Sequence, residues 1–321
     1  AFIPTERQLR AMHRLSAHVL LLPDPEYPPP LRDIPEPPPL LFISGTLNER
    51  DRFSIAMVGS RQATPYGRNV AERFARELAG HGLTIVSGGA IGIDAAAHRG
   101  ALAAGGRTHA VLGCGLDVDY PREHRTLFEQ IRQQGALITE YPPGAMPEAW
   151  RFPQRNRIVS GLAQGLLVVE APAQSGALIT ARIAAEQGRT VMAVPGNIDR
   201  AASVGCHELL KDGATLIACP EDVLRALNLT VVPAQRPYTL NLFATTETPA
   251  TASRPQPHAP APHLPERQQR LLQALSLTPQ HIDTLALHTG LSASEASMEL
   301  TLLEINGLAR RMPGNTYIRT L

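Results

Sequence analysis

Six short runs of small residues interrupt this sequence just after apolar stretches: Gly59-Ser60-Arg61, Ser87-Gly88-Gly89, Gly113-Cys114-Gly115, Tyr141-Pro142-Pro143-Gly144, Ser175-Gly176 and Pro195-Gly196-Asn197. Where side chains are missing, backbone N–H groups can approach an anion closely, and a turn that opens a helix adds the helix dipole. Phosphate binding is the chemistry such turns offer. A second set is cationic and aromatic: Trp150, Arg151, Phe152, Arg155, Asn156 and Arg157 follow in quick succession, and no acid intervenes between Glu148 and Glu170. Rings suit stacking on unpaired bases and guanidinium groups follow a phosphate backbone, which is the composition of single-stranded nucleic-acid sites. The third set is acid–base. Asp94 and His98 stand four apart on a predicted helix and so share a face, while Glu140 and Glu170 end predicted strands. The alternative for the helical pair is structural, an aspartate favoured by the helix dipole and a locally packed histidine. A binding protein and an enzyme are therefore both open at this point.

The elements that must position these sets are short apolar runs alternating with amphipathic stretches. Strands are predicted at 55–58, 83–86, 109–112, 136–139, 165–169, 190–194 and 215–217, and helices at 67–79, 94–104, 123–133, 178–187 and 206–210. Repeating units of this kind imply an α/β fold, a doubly wound and mainly parallel sheet over residues 48–228. In such a sheet every strand C-terminus lies on one edge, so the small-residue turns collect there. Residues 1–47 read as a lead-in whose proline-rich part, 23–39, is expected to lie extended outside the core. Residues 229–265 are a proline-rich linker with one apolar run, 238–243, as a docking candidate. From 266 to 321 three short helices and a hairpin predict a winged helix. Its third helix opens on the capping pair Ser292 and Glu295 and carries Glu295, Glu299 and Glu304 without Lys or Arg. Three carboxylates repel a phosphate backbone, which leaves Arg310, Arg311 and Arg319 on the wing as the contacts available to nucleic acid and favours a protein-contact role for the module.

Composition narrows the classes further. Thirty basic against twenty-nine acidic side chains exclude a general polycation, so any anion-binding surface is local. Lys211 is the one lysine and lies in no G-x-x-x-x-G-K-[ST] pattern, which excludes a P-loop, and no strand is followed by G-x-G-x-x-G. The three cysteines lack zinc or disulfide-framework spacing and suit a reduced, cytoplasmic setting. No apolar stretch reaches the length of a membrane span.

In their order, several motifs resemble the DNA processing protein A (DprA/Smf) family. They are Met57-Val58-Gly59-Ser60-Arg61, Ser87-Gly88-Gly89-Ala90 with Gly92-Ile93-Asp94, Tyr120-Pro121, Phe152-Pro153 before Arg155-Asn156-Arg157, Ser175-Gly176 with Thr180, and Pro195-Gly196-Asn197. The resemblance implies a Rossmann-like domain that binds single-stranded DNA without cutting it, forms a homodimer, and loads the recombinase RecA during natural transformation. It implies no cofactor, no metal and no catalytic residue. By the same resemblance Gly59, Ser60, Arg61, Ser87, Gly88 and Gly89 would hold phosphates. Phe152, Arg155, Asn156 and Arg157 would flank the strand, and Ser175, Gly176 and Thr180 complete the site. His207, Leu210 and Leu216 would lie in the dimer interface. The family's small helical domain could occupy at most residues 5–20, so it is expected to be reduced. The competing expectation is a nucleoside monophosphate phosphoribohydrolase of a related fold, although the P-G-G-x-G-T motif of those enzymes is absent.

Overall fold

In a computed structural model, residues 5–229, 265–276, 280–305, 308–312 and 315–319 are described. They belong to two compact units that divide between 240 and 241. The linker run 238–243 falls outside the described residues.

The first unit is a nine-stranded sheet in the order β1-β2-β6-β5-β4-β3-β7-β8-β9. The strands are β1 (Ala17–Leu21), β2 (Leu40–Gly45), β3 (Ser54–Val58), β4 (Thr84–Ser87), β5 (Thr108–Val111), β6 (Gly135–Thr139), β7 (Gly165–Val168), β8 (Thr190–Ala193) and β9 (Thr215–Leu216). All pairings from β3 to β9 are parallel. The helices are α1 (Glu6–Arg14), α2 (Pro29–Arg32), α3 (Pro65–Gly80), α4 (Ile93–Ala103), α5 (Arg125–Gln134), α6 (Arg151–Gly161), α7 (Gly176–Glu186), α8 (Val204–Lys211) and α9 (Pro220–Ala226).

The two-residue period of a strand decides which core each side chain joins. Ile55 and Met57 of β3 pack with Phe74 and Leu78 of α3, whereas Ala56 and Val58 face the opposite layer with Ile158 of α6 and Ala177 of α7. Winding runs outward from β3 through β4, β5 and β6 on one side, then resumes on its other side with β7, β8 and β9. Where the direction reverses, between β3 and β7, the loops part and leave a crevice at the strand C-termini.

All seven predicted strands of this unit are present within a residue or two. The lead-in differs from its expectation. Residues 17–21 and 40–45 pair antiparallel and join the sheet through β2 and β6. The proline-rich stretch between them is in the core, with Tyr27, Leu31 and Ile34 buried and the Tyr27 hydroxyl donating to the Pro38 carbonyl at 2.8 Å. Pro29 starts a turn of helix, where its missing N–H costs nothing. No predicted helix covered α6 either, because Pro153 breaks the pattern; in the first turn its N–H would have no intrahelical partner.

In the second unit, α10 (Glu266–Ala274), α11 (Ile282–Thr289) and α12 (Ala293–Ile305) surround Leu271, Leu285, Leu300, Leu303 and Tyr317. The strands β10 (Gln280–His281), β11 (Ala309–Met312) and β12 (Thr316–Arg319) form a sheet in the order β10-β12-β11. The predicted cap is formed: the Glu295 N–H donates to Ser292 Oγ, and the Ser292 N–H and hydroxyl donate back to the Glu295 carboxylate. The acidic face expected of the third helix is present only in part, since Glu304 is exposed. Glu299 points inward and accepts from Gln268 Nε2 at 2.9 Å, and Glu295 lies 3.2 Å from Arg267. Met298 and Leu302 are also exposed on this helix. The side chains of Arg310, Arg311 and Arg319 lie outside the described set.

Candidate nucleic-acid interface

A cavity of about 650 Å3 occupies the crevice between the ends of β3 and β7. Its walls come from the Gly59–Arg61 turn after β3, from Gly88 after β4, from Phe152 and Asn156 of α6, and from Ser175, Gly176 and Thr180 at the start of α7. Residues more than a hundred positions apart thus converge because parallel strands deliver their C-termini to one edge. An adjoining groove of about 400 Å3 continues over Gly89, Gly113, Tyr120 and Arg122 and shares Arg61 and Phe152 with the cavity.

The turn after β3 is built by close packing. A Cβ on Gly59 would lie 2.7 Å from the Glu170 carbonyl, and the Ser60 N–H donates to that same oxygen at 2.7 Å. Gly92 adopts φ +83°, and a Cβ there would lie 2.2 Å from the Ser60 carbonyl. These glycines let β3, β7 and the start of α4 meet. Arg61 leaves the turn exposed, its guanidinium carbon 5.2 Å from the centroid of the Phe152 ring. Phe152 in turn lies against Gly113, where a Cβ would be 2.9 Å from the ring, and its centroid is 5.6 Å from that of Tyr120. An arginine and two rings therefore form one ridge between the cavity and the groove. On the opposite wall Ser175 caps α7, its hydroxyl accepting from the Ala177 N–H at 3.2 Å.

The turn after β4 is different. The Asp94 carboxylate accepts from the N–H groups of Gly88 at 3.1 Å and Ala90 at 3.3 Å, so the Gly88 donor expected for phosphate already holds an internal carboxylate. Arg155 is 4% exposed and donates to the carbonyls of Gly88 and Val111. A Cβ on Gly88 would lie 2.7 Å from both Arg155 Nη2 and Asp94 Oδ2, so the two charges converge on this glycine. Burial pushes the Asp94 carboxyl up from its ordinary range, against Arg155 and the backbone donors, and burial also pulls the Arg155 guanidinium down against Asp94.

Four of the expected contact residues have polar groups engaged within the fold, although Arg155 and Thr180 also line the cavity. Arg155 is a buried cross-brace. Arg157 makes a two-pronged pair with Glu140, both at 2.7 Å, and donates to the Glu36 carbonyl, tying α6 to the lead-in. Ser87 is fully buried and its hydroxyl donates to the Met57 carbonyl at 2.6 Å, while the Thr180 hydroxyl donates to Gly176 within its own helix. The acid–base set is also dispersed. Glu170 accepts from the N–H and hydroxyl of Thr64 at the start of α3, Glu140 is held by Arg157, and His98 is wholly buried with Nδ1 2.7 Å from Thr108 Oγ1. Because the Thr108 hydroxyl donates to the Ile85 carbonyl, His98 supplies the proton of that bond and stays neutral, its pKa pulled down to about 3 by burial. Tyr120, absent from the expected set, is the residue sequence reasoning missed; the Tyr120-Pro121 motif marked it without assigning it a role.

The residues assigned to an interface between copies lie at the far end of the sheet. Leu216 is on β9, the last strand of the sheet among the described residues, and is 53% exposed; Leu210 is half-buried against the core, and His207 Nε2 is 3.1 Å from the Gly196 carbonyl.

The comparison with known proteins follows the same boundaries as the fold. The family model described as DNA recombination-mediator protein A matches residues 18–228. The chain belongs to this family. The match begins at β1, which places the lead-in strands inside the family domain. A second model, the DprA winged helix domain, matches residues 255–315. Among relatives, the protein Smf of Synechocystis sp. is 37% identical over 314 residues, covering 92% of this chain and 78% of that protein. Among solved structures, DNA processing protein A of Streptococcus pneumoniae aligns with a TM-score of 0.63 at 43% identity, covering 65% of this chain and 73% of the other. DNA processing protein A of Helicobacter pylori aligns with a TM-score of 0.60 at 30% identity, covering 66% and 95%, and its structure addresses that protein's single-stranded DNA binding mode. Among the described residues no helix is long and apolar enough to cross a membrane.

Proposed function

We propose that this chain grips single-stranded DNA in the crevice between β3 and β7 without cleaving it, dimerises through α8 and β9, and delivers the strand to the RecA recombinase in the cytoplasm during natural transformation. The observation that carries the reading is the ridge of Arg61, Phe152 and Tyr120 beside an open cavity whose other wall is a capped helix start. A guanidinium suits a phosphate and an adjacent ring suits a base, the two halves of a nucleotide. Kinship with the Helicobacter pylori protein supports the same strand class.

In this reading Ser60, Arg61, Ser175 and Gly176 meet phosphates, Phe152 and Asn156 meet bases, and Gly59, Gly88 and Gly89 let the turns pack closely enough to shape the floor of the site. His207, Leu210 and Leu216 lie toward the second copy. The winged helix, with Met298 and Leu302 outward on its third helix, serves a protein contact rather than groove reading. The test is a titration of single-stranded against duplex oligonucleotide at two salt concentrations. Single-strand preference with a salt-dependent affinity is expected; absence of oligonucleotide binding refutes it. The phosphoribohydrolase reading is tested by incubation with nucleoside monophosphates, from which no free base is expected.

A further inference from the structure

We propose that Trp150 is a second base-stacking station for single-stranded nucleic acid, set on the rim of the cavity and outside the residues that line it. The inference rests on the single-stranded DNA reading above and extends its footprint. Trp150 is the one tryptophan in the chain and is 52% exposed. A ring used for packing would be covered; this one keeps over half of its surface in water.

The ring is nevertheless held. Its Nε1–H donates to the Glu148 carboxylate at 2.7 Å, and it meets Tyr141 edge to face, centroids 6.4 Å apart at 89°. Arg151 fills the corner between the two rings, its guanidinium carbon 4.9 Å from the Tyr141 centroid and 5.1 Å from that of Trp150. The same guanidinium pairs with Glu148 at 2.8 Å and donates to the Met146 carbonyl at 2.5 Å. An aromatic surface fixed in advance loses little conformational freedom when a flat partner covers it. The Glu148 carboxylate beside it is already bound to Arg151 and to the indole, so it adds little repulsion toward a passing phosphate.

Position and chemistry select the occupant. Ala149 and Phe152, on either side of Trp150 in the chain, both line the cavity, so a strand leaving the cavity beside α6 passes this rim. The ligand there would be the strand that Arg61 and Phe152 engage, now offering its next bases. Stacking on an indole is indifferent to base identity, as every base has a π-face. Trp150 would therefore lengthen the site without adding sequence preference.

The experiment compares the intact protein with Trp150→Ala and Trp150→Phe, using oligothymidylates of about 4 and about 12 nucleotides, lengths that bracket common single-strand site sizes. Only the longer oligomer should quench the intrinsic tryptophan fluorescence of the intact protein. Trp150→Ala should weaken the longer oligomer about 5- to 100-fold, leave the shorter one within twofold and keep the melting temperature, and Trp150→Phe should restore most of the loss. Equal affinity of the longer oligomer for the intact protein and Trp150→Ala, with no quenching, overturns the station while the cavity reading stands; Trp150 would then be a protein contact. If the intact protein binds neither oligomer, the cavity reading itself fails and the station with it.

Discussion

The two glycine-bearing turns beside each other on this sheet edge, after β3 and after β4, look alike in sequence and behave differently. After β4, the N–H groups of Gly88 and Ala90 are spent on Asp94, and Arg155 is sunk between Gly88 and Val111 to balance that carboxylate. After β3, Arg61 is exposed and stands over the Phe152 ring beside an open cavity. One turn is closed on an internal anion, and its neighbour faces solvent with a cation to spare. Glycine-rich turns on a parallel-sheet edge thus have two uses, packing charged side chains against backbone and admitting a ligand. Which use applies depends on whether an acid from the following helix reaches back.

That contrast can be broken at its closed half with the largest effect. Arg155→Ala leaves Asp94 buried without its cation and two carbonyls without their donor, and should cost about 3–5 kcal/mol of stability in denaturant unfolding. If Arg155→Ala instead folds normally and loses only oligonucleotide affinity, the closed turn is a DNA contact after all. At the open half, Phe152→Ala should cost roughly 1–3 kcal/mol of single-strand binding at unchanged sequence preference, read by anisotropy. Arg61→Ala should leave stability within about 0.5 kcal/mol, as expected of an exposed side chain. It should also lower the slope of log affinity against log salt by about 0.7, the share of one phosphate on a single strand. Thr180→Val tests whether the hydroxyl on the cavity wall, which donates to the Gly176 carbonyl, also meets the strand: unchanged oligonucleotide affinity is expected if its one role is that intrahelical bond.

Acid sharpens the comparison from the interior. His98 is neutral in the fold with a pKa near 3, against about 6.5 when unfolded. Between those values the unfolded chain binds more protons, so stability is full above about pH 6.5 and falls as the pH drops toward 3. His98→Asn should flatten that part of a stability–pH curve measured by urea unfolding.

Much of the fold was legible in the residues. Alternating apolar runs such as 55–58 and 165–169 carry strand periodicity, and turn residues mark where each strand stops. The lead-in and α6 were not legible, because proline is read as a breaker unless its position in a first turn is known, as at Pro29 and Pro153. The cationic and aromatic run from Trp150 to Arg157 was visible as a cluster but not resolved into parts. Helical geometry sends Phe152 and Asn156 to the cavity, sinks Arg155 into the cavity floor with 4% of its surface exposed, and turns Arg157 back to Glu140.

By itself the sequence determined the strand and helix alternation, the edge on which the turns gather, the family motifs and the winged-helix pattern, all set by local periodicity and short spacing. Only the tertiary structure decided which arginines are free. Arg61 and Arg155 are the same residue type in neighbouring motifs, and a charge is spent or spared according to what lies within hydrogen-bond reach across the fold. For Arg155 that is a turn 67 residues away, with an aspartate beyond it, and no spacing along the chain encodes that encounter.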